Sequence, residues 1–142
     1  MSLSDLSNGQ LPGPENRLSP AGVRIYRPDW SPDGTQIVYE CSQDPCEANA
    51  GPYSDDADIY KVGANGSNNV PLVNGHFDDS YPVFSPGGGK IAFSSARKTG
   101  PGVDNPTGDE EIFVANADGS GDPLQITFNQ KRDVEPDWQP VP

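Results

Sequence analysis

A short proline-containing segment occurs three times in this sequence at a constant spacing. Its first copy, residues 27–34, has the sequence R-P-D-W-S-P-D-G, and the later copies begin at Tyr81 and Glu135. A fixed period of this size is typical of repeat architectures, in which each repeat forms one supersecondary unit that stacks on its neighbours. The repeated positions are Pro28, Trp30, Pro32 and Gly34, then Pro82, Phe84, Pro86 and Gly88, and finally Pro136 and Trp138.

The composition favours short strands over helices. Hydrophobic residues make up 32% of the 142 residues, and the chain contains 16 glycines and 16 prolines. Many short strands joined by glycine- and proline-containing turns fit such a composition. The turn 31–34 (S-P-D-G) illustrates this, because proline presets φ and glycine accepts a positive φ. The sequence therefore predicts an all-β fold.

Each repeat contains four short apolar segments, which is the pattern of β-propeller blades. A β-sandwich is the structural alternative, but it does not require a strict repeat. Leu18 lies one repeat before Leu72, so residues 17–19 are predicted to be the last strand of a preceding unit. The predicted strands are 26–30, 36–40, 59–62 and 70–73, then 81–84, 90–94, 111–115 and 124–127. The predicted organisation is a flexible leader at 1–15 and propeller repeats at 16–142, with blade one at about 26–74, blade two at about 81–128 and a closing strand at 135–139.

The charge of the chain argues against nucleic-acid partners, and its short apolar runs argue against a membrane span. The formal net charge is −12, with 21 acidic and 9 basic residues. An acidic surface repels phosphate backbones, so nucleic-acid binding is not expected. No apolar run is long enough to span a membrane, and the first residues lack the basic and apolar regions of a signal peptide.

The two cysteines, Cys41 and Cys46, lie within one predicted loop. A disulfide that closes this loop is the preferred interpretation and would indicate an oxidising compartment. A zinc site would need further ligands nearby, and the single histidine, His76, is distant in the sequence. Two unpaired thiols remain the alternative.

Two clusters of carboxylates suggest calcium as a candidate ligand, because hard cations prefer several oxygen ligands. Neither cluster has the spacing of an EF-hand loop, and solvated acidic side chains are the preferred interpretation. His76 is interpreted as an exposed loop residue, and no nucleophile and base can be paired with it. Asp79 and Asp133, which are one repeat apart, are predicted to have structural roles in capping turns. The calcium candidates are Asp55, Asp56 and Asp58, and Asp109, Glu110 and Glu111.

The repeated segments resemble the TolB-like family of WD-like β-propeller repeats, which occur mostly in secreted and periplasmic bacterial proteins. The family pattern combines a P-x-W-S-P-D-G turn, an I-A-F-like strand, an acidic residue before I-Y-V, and an N-A-D-G-S turn. Departures from the pattern are Phe84 in place of Trp, Gly87 in place of Asp, and Gln139 in place of Ser. The matching segments are 28–34, 37–39, 58–60 and 64–67 in the first repeat, and 82–86, 91–93, 111–113 and 116–120 in the second.

The long loops at 41–57 and 96–109 and the lack of a recognisable catalytic set predict a non-enzymatic module for protein interaction or assembly, with no cofactor. The resemblance implies that this module is secreted or periplasmic. Propellers have about 4–8 blades, so two blades would complete a ring by oligomerisation or within a larger propeller. The alternatives are a lectin-like glycan-binding propeller and a structural subunit of an extracellular assembly. Tyr53 is the only obvious loop aromatic on which a sugar could stack.

Overall fold

The protein contains two four-stranded antiparallel sheets, each with its strands in sequence order. The computed structural model describes residues 17–19, 24–42 and 56–139. Among these residues, no helix of membrane-spanning length and hydrophobicity occurs. The first sheet, blade one, contains β1 (Arg24–Trp30), β2 (Gln36–Ser42), β3 (Ala57–Gly63) and β4 (Val70–Val73). The second sheet, blade two, contains β5 (Asp79–Phe84), β6 (Lys90–Ser95), β7 (Glu111–Asn116) and β8 (Leu124–Gln125).

The all-β prediction and the four strands of each blade are confirmed, but several strand boundaries differ. Strands β1, β3 and β5 begin two residues earlier than predicted, because pairing with β2 and β6 continues past the apolar core positions. Strand β8 ends at Gln125 instead of residue 127. There the ladder gives way to an irregular contact in which the Ile126 and Thr127 amides both donate to the Ile112 carbonyl.

The predicted closing strand at 135–139 is not a strand in the structure. Residues 17–19, predicted as the last strand of a preceding unit, are likewise not assigned to a strand. A strand exists only where a neighbour completes its ladder of hydrogen bonds. Within the described part of the chain, no strand pairs with either segment.

The turn between the first two strands of each blade forms as the sequence predicts. The amide of Gly34 donates to the Ser31 carbonyl at 2.8 Å, and Gly34 has a φ of 70°. The Asp33 carboxylate accepts hydrogen bonds from the Ser31 hydroxyl and the Thr35 amide, and these bonds lower its pKa to about 2. In blade two the Gly88 amide donates to the Ser85 carbonyl at the same distance of 2.8 Å.

The three copies of the repeated motif share an unusual backbone feature just before the first proline. Arg27, Tyr81 and Glu135 have φ values of 49°, 56° and 57°, a left-handed conformation that is uncommon for residues other than glycine. The strand pairing is irregular at the first two of these positions, between Tyr26 and Asp29 and between Ser80 and Val83. A β-bulge of this kind bends the strand and re-aims its side chains.

The two blades pack face to face around a single apolar cluster. Blade one contributes Val38, Ile59 and Val73, and blade two contributes residues that include Phe84 and Ile91. The rings of Phe93 and Phe113 stack within this cluster with centroids 6.0 Å apart. Complete burial of one such side chain contributes about 1.5–3 kcal/mol. This interface therefore supplies a large share of the stability of the pair.

Glycines at the turn of blade two provide a matched test of the turn conformation. Gly88 has a φ of 72°, whereas the neighbouring Gly87 does not have a positive φ and has open space around its potential Cβ. We expect Gly88→Ala to lower the free energy of unfolding by about 1 kcal/mol, because an L-residue is strained in this conformation. Gly87→Ala should be neutral or stabilising by up to about 1 kcal/mol. Urea unfolding followed by circular dichroism measures both, and equal effects would contradict the assigned turn.

Candidate assembly and binding surface

The contact between the two blades is built from positions that recur in every repeat. Phe84 is only 7% exposed because it lies in the cluster between the blades. Its amide donates a hydrogen bond of 2.7 Å to the carboxylate of Asp29, on the innermost strand of blade one. An apolar side chain and a charge-assisted hydrogen bond therefore join neighbouring innermost strands at the same residue.

A cluster of polar side chains, Arg27, Glu40 and Tyr81, bridges the blades beside the strand bulges. The Arg27 guanidinium donates to Glu40 at 2.6 Å and to the Tyr81 hydroxyl at 3.0 Å, and it lies 3.8 Å from the centroid of the Tyr81 ring. The Tyr81 amide donates to the same Glu40 carboxylate at 3.4 Å. Burial lowers the pKa of Arg27, but the hydrogen bonds and charge attraction outweigh it, so that its pKa is raised.

A contact between the outer strand of one unit and the following blade occurs twice. The Leu72 side chain lies 3.5 Å from the position that a Cβ on Gly119 would occupy, in the last hairpin turn of blade two. Leu18 has the same relation to Gly66 of blade one, at 3.6 Å. The prediction that Leu18 corresponds to Leu72 therefore agrees with this packing, although residues 17–19 form no strand.

The apolar residues on and just after the outer strand of blade two, β8, are exposed. We call Leu124, Ile126 and Phe128 the trailing face; they are 60%, 48% and 60% exposed, respectively. Ile126 stands one repeat after Leu72, whose side chain packs against the cluster between the blades. Ile126 therefore presents apolar surface at the point where Leu72 contacts a following blade.

The opposite side of blade one is largely covered. Ile37, Tyr39, Cys41, Tyr60 and Val62 form a second apolar cluster, and every member is at most 8% exposed. Leu18 and Ile25 pack against this cluster. Trp30, on the innermost strand of blade one, is not covered: 54% of it is exposed, although Phe84, which lies one repeat later, is buried. Exposed apolar surface between successive units is therefore found mainly on the trailing face.

Residues 129–139 lie against blade two in the place that a following innermost strand would take. The Asp133 amide donates to the Glu110 carbonyl at 2.6 Å, and Arg132 forms an ion pair with the Glu110 carboxylate. The Trp138 indole N–H donates to the Val83 carbonyl at 3.2 Å. Trp138 is one repeat after Phe84, so the third copy of the motif contacts blade two much as blade two contacts blade one.

Blade two also contains a buried ion pair that the sequence analysis did not identify. Asp79 is completely buried and lies 3.1 Å from the guanidinium of Arg97, which follows β6. Burial raises the pKa of Asp79 to about 6, and the attraction of Arg97 opposes that rise. Asp79 was predicted to cap a turn, but its carboxylate pairs with Arg97, and its neighbour Asp78 accepts a hydrogen bond from the Ala57 amide. No short-range sequence pattern indicates this pairing, because Arg97 lies in a loop.

The carboxylates proposed as calcium ligands after residue 108 have separate protein partners. Asp109 accepts from the Thr107 hydroxyl, Glu110 pairs with Arg132, and the buried Glu111 accepts from Thr127 and from the amide of Asn129. In the first cluster Asp56 and Asp58 have interaction partners, and Asp55 lies outside the described residues. Within the described ranges, no group of three or more potential ligand side chains could hold a metal ion. The calcium hypothesis stays a prediction.

The predicted disulfide and the single histidine are only partly described. Cys41 is disulfide-bonded, whereas Cys46 lies outside the described residues, so its pairing with Cys41 stays a prediction. His76 is exposed in the loop that joins the two blades and has an interaction partner. Tyr53, the candidate for stacking on a sugar, also lies outside the described residues.

A cleft of about 420 Å³ lies between the blades at their turn end. Its walls include Gln36, Lys61, Asn116 and Asp118, and the Lys61 ammonium donates to the Ala117 carbonyl at 2.7 Å. The lining residues are polar or small and include no aromatic ring. This cleft therefore offers no stacking platform of the kind expected for a glycan site.

The bridging cluster gives a prediction for the coupling between blades. We expect Arg27→Ala to lower the free energy of unfolding by about 2 kcal/mol, because it leaves the Glu40 carboxylate, only 7% exposed, without its cation. The cost is below that of a fully buried pair because Arg27 is 40% exposed. A double-mutant cycle with Glu40→Gln should give a coupling energy of about 1 kcal/mol in urea unfolding. Additive effects would contradict a direct interaction.

Asp79 gives a prediction for pH dependence. The pKa of Asp79 is about 6 in the folded protein, compared with 3.8 for an unperturbed aspartate. Between these two pH values the folded state therefore binds a proton that the unfolded state has released. Relative to Asp79→Asn, the wild-type free energy of unfolding should therefore fall by about 2 kcal/mol as the pH rises from 4.5 to 7.

The control for this experiment is Asp33→Asn. The pKa of Asp33 is about 2, so its contribution is present above pH 3.8 and is lost only as the pH falls through 2. The difference between wild type and Asp33→Asn should be flat from pH 4.5 to 7. Urea titrations at four pH values measure both differences, and a flat or rising difference for Asp79→Asn would disprove the assignment.

Comparison with known proteins identifies structural relatives. No model of a protein family and no curated protein matches the sequence. The protein assigned as TolB from Agrobacterium tumefaciens is similar with a TM-score of 0.62 and 26% identity, over 81% of this chain and 34% of that one. TolB from Acinetobacter baumannii is similar with a TM-score of 0.56 and 19% identity, over 80% of this chain and 23% of that one. Together with the repeated motif and the two sheets, these similarities show a β-propeller fold of the TolB-like type, with two four-stranded blades.

Proposed function

We propose that the chain is a non-enzymatic module for protein interaction and assembly, which binds a further propeller blade through its trailing face. The exposure of Ile126, together with that of the nearby Phe128, carries this proposal. One repeat earlier, Leu72 is packed against the following blade. A blade with the same repeat is therefore the partner whose shape and chemistry fit the trailing face.

The further blade is supplied either by another copy of the chain or by a larger propeller of which this chain is part. The coverage of only 34% and 23% of the two TolB structures is compatible with both sources. Propellers have about 4–8 blades, so either route supplies more than the two blades described. Oligomeric mass separates the two routes.

A secreted or periplasmic location is proposed on two grounds. Cys41 is disulfide-bonded, and structural disulfides persist in oxidising compartments. The resemblance to TolB-like repeats supports the same location. Nucleic acids are not proposed as partners, because a net charge of −12 repels their phosphate backbones.

Light scattering coupled to size-exclusion chromatography tests the assembly. A defined multiple of the 15.1 kDa chain supports closure by self-association. A monomer assigns the missing blades to a larger propeller. A very long, regular species would instead support the alternative of a structural subunit in an extracellular filament.

Substitutions on the trailing face test which surface is used. We expect the double variant Ile126→Ser, Phe128→Ser to reduce the apparent association constant at least tenfold, because it removes apolar area from the contact. Val70→Ser is the control, since Val70 is an exposed apolar residue on the outer strand of blade one. Val70 is 40% exposed beside a blade that is already present, so this change should leave association unaltered. Equal effects of both variants on the mass distribution would refute the proposed surface.

Glycan binding remains the second candidate function, although the described residues favour it less. The cleft beside Lys61 and Asn116 has no aromatic lining, and Tyr53 lies outside the described residues. A glycan array probed with the assembled species tests this function directly. Binding that Tyr53→Ala abolishes would support the lectin-like alternative.

A further inference from the structure

We propose that Asn74 is a site of spontaneous chemical modification, at which the backbone nitrogen of Gly75 converts the side-chain amide of Asn74 to a carboxylate. This site is separate from the assembly function and does not depend on it. The chain contains three Asn-Gly pairs, at 8–9, 65–66 and 74–75. The second and third lie within the described residues, and both are exposed. They differ in the hydrogen bonds that restrain the reacting groups.

The reaction forms a succinimide ring from the asparagine and the glycine that follows it. The glycine nitrogen bonds to the side-chain carbonyl carbon, and the side-chain NH2 leaves as ammonia with the proton of the glycine amide. Water then opens the ring at either carbonyl and gives aspartate, or isoaspartate, in which the backbone continues through the side chain. No electrons are exchanged, and water is the only co-reactant. Glycine favours ring closure because it has no Cβ to crowd the attacking nitrogen.

The groups that would react at Asn65 and Gly66 are restrained by the hairpin turn between β3 and β4. The Gly66 amide donates to the Gly63 carbonyl at 2.8 Å, so the attacking N–H is already engaged. The side-chain oxygen of Asn65 accepts from the amide of Ser67 at 3.0 Å and from its hydroxyl at 2.6 Å. These hydrogen bonds hold the side chain back over the turn and must break before the ring can close.

The groups that would react at Asn74 and Gly75 have no such restraint. They lie between β4 and β5, in the segment that joins the two blades. Among the residues that the structure describes, neither the Asn74 side chain nor the Gly75 amide forms a hydrogen bond. A Cβ on Gly75 would meet no heavy atom within 4 Å beyond its chain neighbours, so the space around the attacking nitrogen is open.

Modification of Asn74 changes a cleft between the blades. Asn74 lines a cleft of about 230 Å³ together with Leu72 of blade one and Arg97 and Asp122 of blade two. Arg97 is also the partner of the buried Asp79. Aspartate at position 74 adds a negative charge to this cleft, and isoaspartate adds a backbone atom to the connection between the blades. The reaction therefore alters both charge and spacing at the blade interface.

Incubation of the full chain at mildly alkaline pH, followed by peptide mapping with mass spectrometry, tests the proposal. We expect Asn74 to be converted at least tenfold faster than Asn65 in the folded chain, because the hydrogen bonds at Asn65 and Gly66 raise the barrier. In denaturing urea these hydrogen bonds are lost, and the two rates should lie within about threefold of each other, because each asparagine precedes a glycine. Peptide mapping separates both sites from Asn8, and chromatography separates isoaspartate from aspartate.

Two variants separate the attacking nitrogen from its surroundings. Gly75→Ala should slow the conversion of Asn74 at least tenfold, because the added methyl group crowds the nitrogen, while the open space around Gly75 accommodates it. Ser67→Ala removes the hydroxyl donor to Asn65 and should speed the conversion of Asn65 about fivefold. Circular dichroism and thermal midpoints report whether both variants keep the wild-type fold.

Equal conversion of Asn74 and Asn65 in the folded chain would overturn the inference. Unchanged conversion of Asn74 in Gly75→Ala would overturn it too, because the Gly75 nitrogen would then not be the attacking group. A tenfold difference that persists in urea would refute the role assigned to the hydrogen bonds. None of these results affects the trailing-face proposal, which depends on the mass distribution and on Ile126 and Phe128.

Discussion

The structure depends on the burial of two faces of each sheet by neighbouring sheets. A sheet whose central strands carry apolar residues on both faces is stable only when both faces are covered. Blade two covers one face of blade one through the cluster that contains Val38, Ile59 and Phe93. The trailing face, the contacts of residues 129–139 with blade two and the bridging side chains all follow from this requirement, because each belongs to a contact between successive units.

Polar contacts determine how successive blades align, whereas apolar contacts supply most of the stabilisation. The cluster between the blades is non-directional and would tolerate small shifts of one sheet over the other. Hydrogen bonds from Phe84 to Asp29 and from Lys61 to the Ala117 carbonyl have fixed geometry and involve two different strands of blade one, β1 and β3. Their combination fixes the position of one blade relative to the next.

The sequence predicts the fold well because the propeller pattern is local. The constant repeat period, the turn at Gly34 and the alternating apolar strands each arise from nearby residues. The conformation of Arg27, Tyr81 and Glu135 could not be predicted from propensity, since residues other than glycine rarely adopt positive φ. Its one sequence signal is the proline that follows at the same repeat position. The Asp79–Arg97 pair and the contacts of residues 129–139 depend on tertiary packing, which no short pattern encodes.

The residue before the repeated proline has a consequence for how blades are ordered. Its backbone is nearly the same in all three copies, but its side chain is Arg27 in the first, Tyr81 in the second and Glu135 in the third. The first two meet across the blade interface through Glu40. Near-identical repeats are prone to misassembly because any unit can take the place of another. Because the side chain at this position differs between repeats, each repeat can make different contacts across its blade interface. Such differences allow a blade to discriminate its proper neighbour from the other copies.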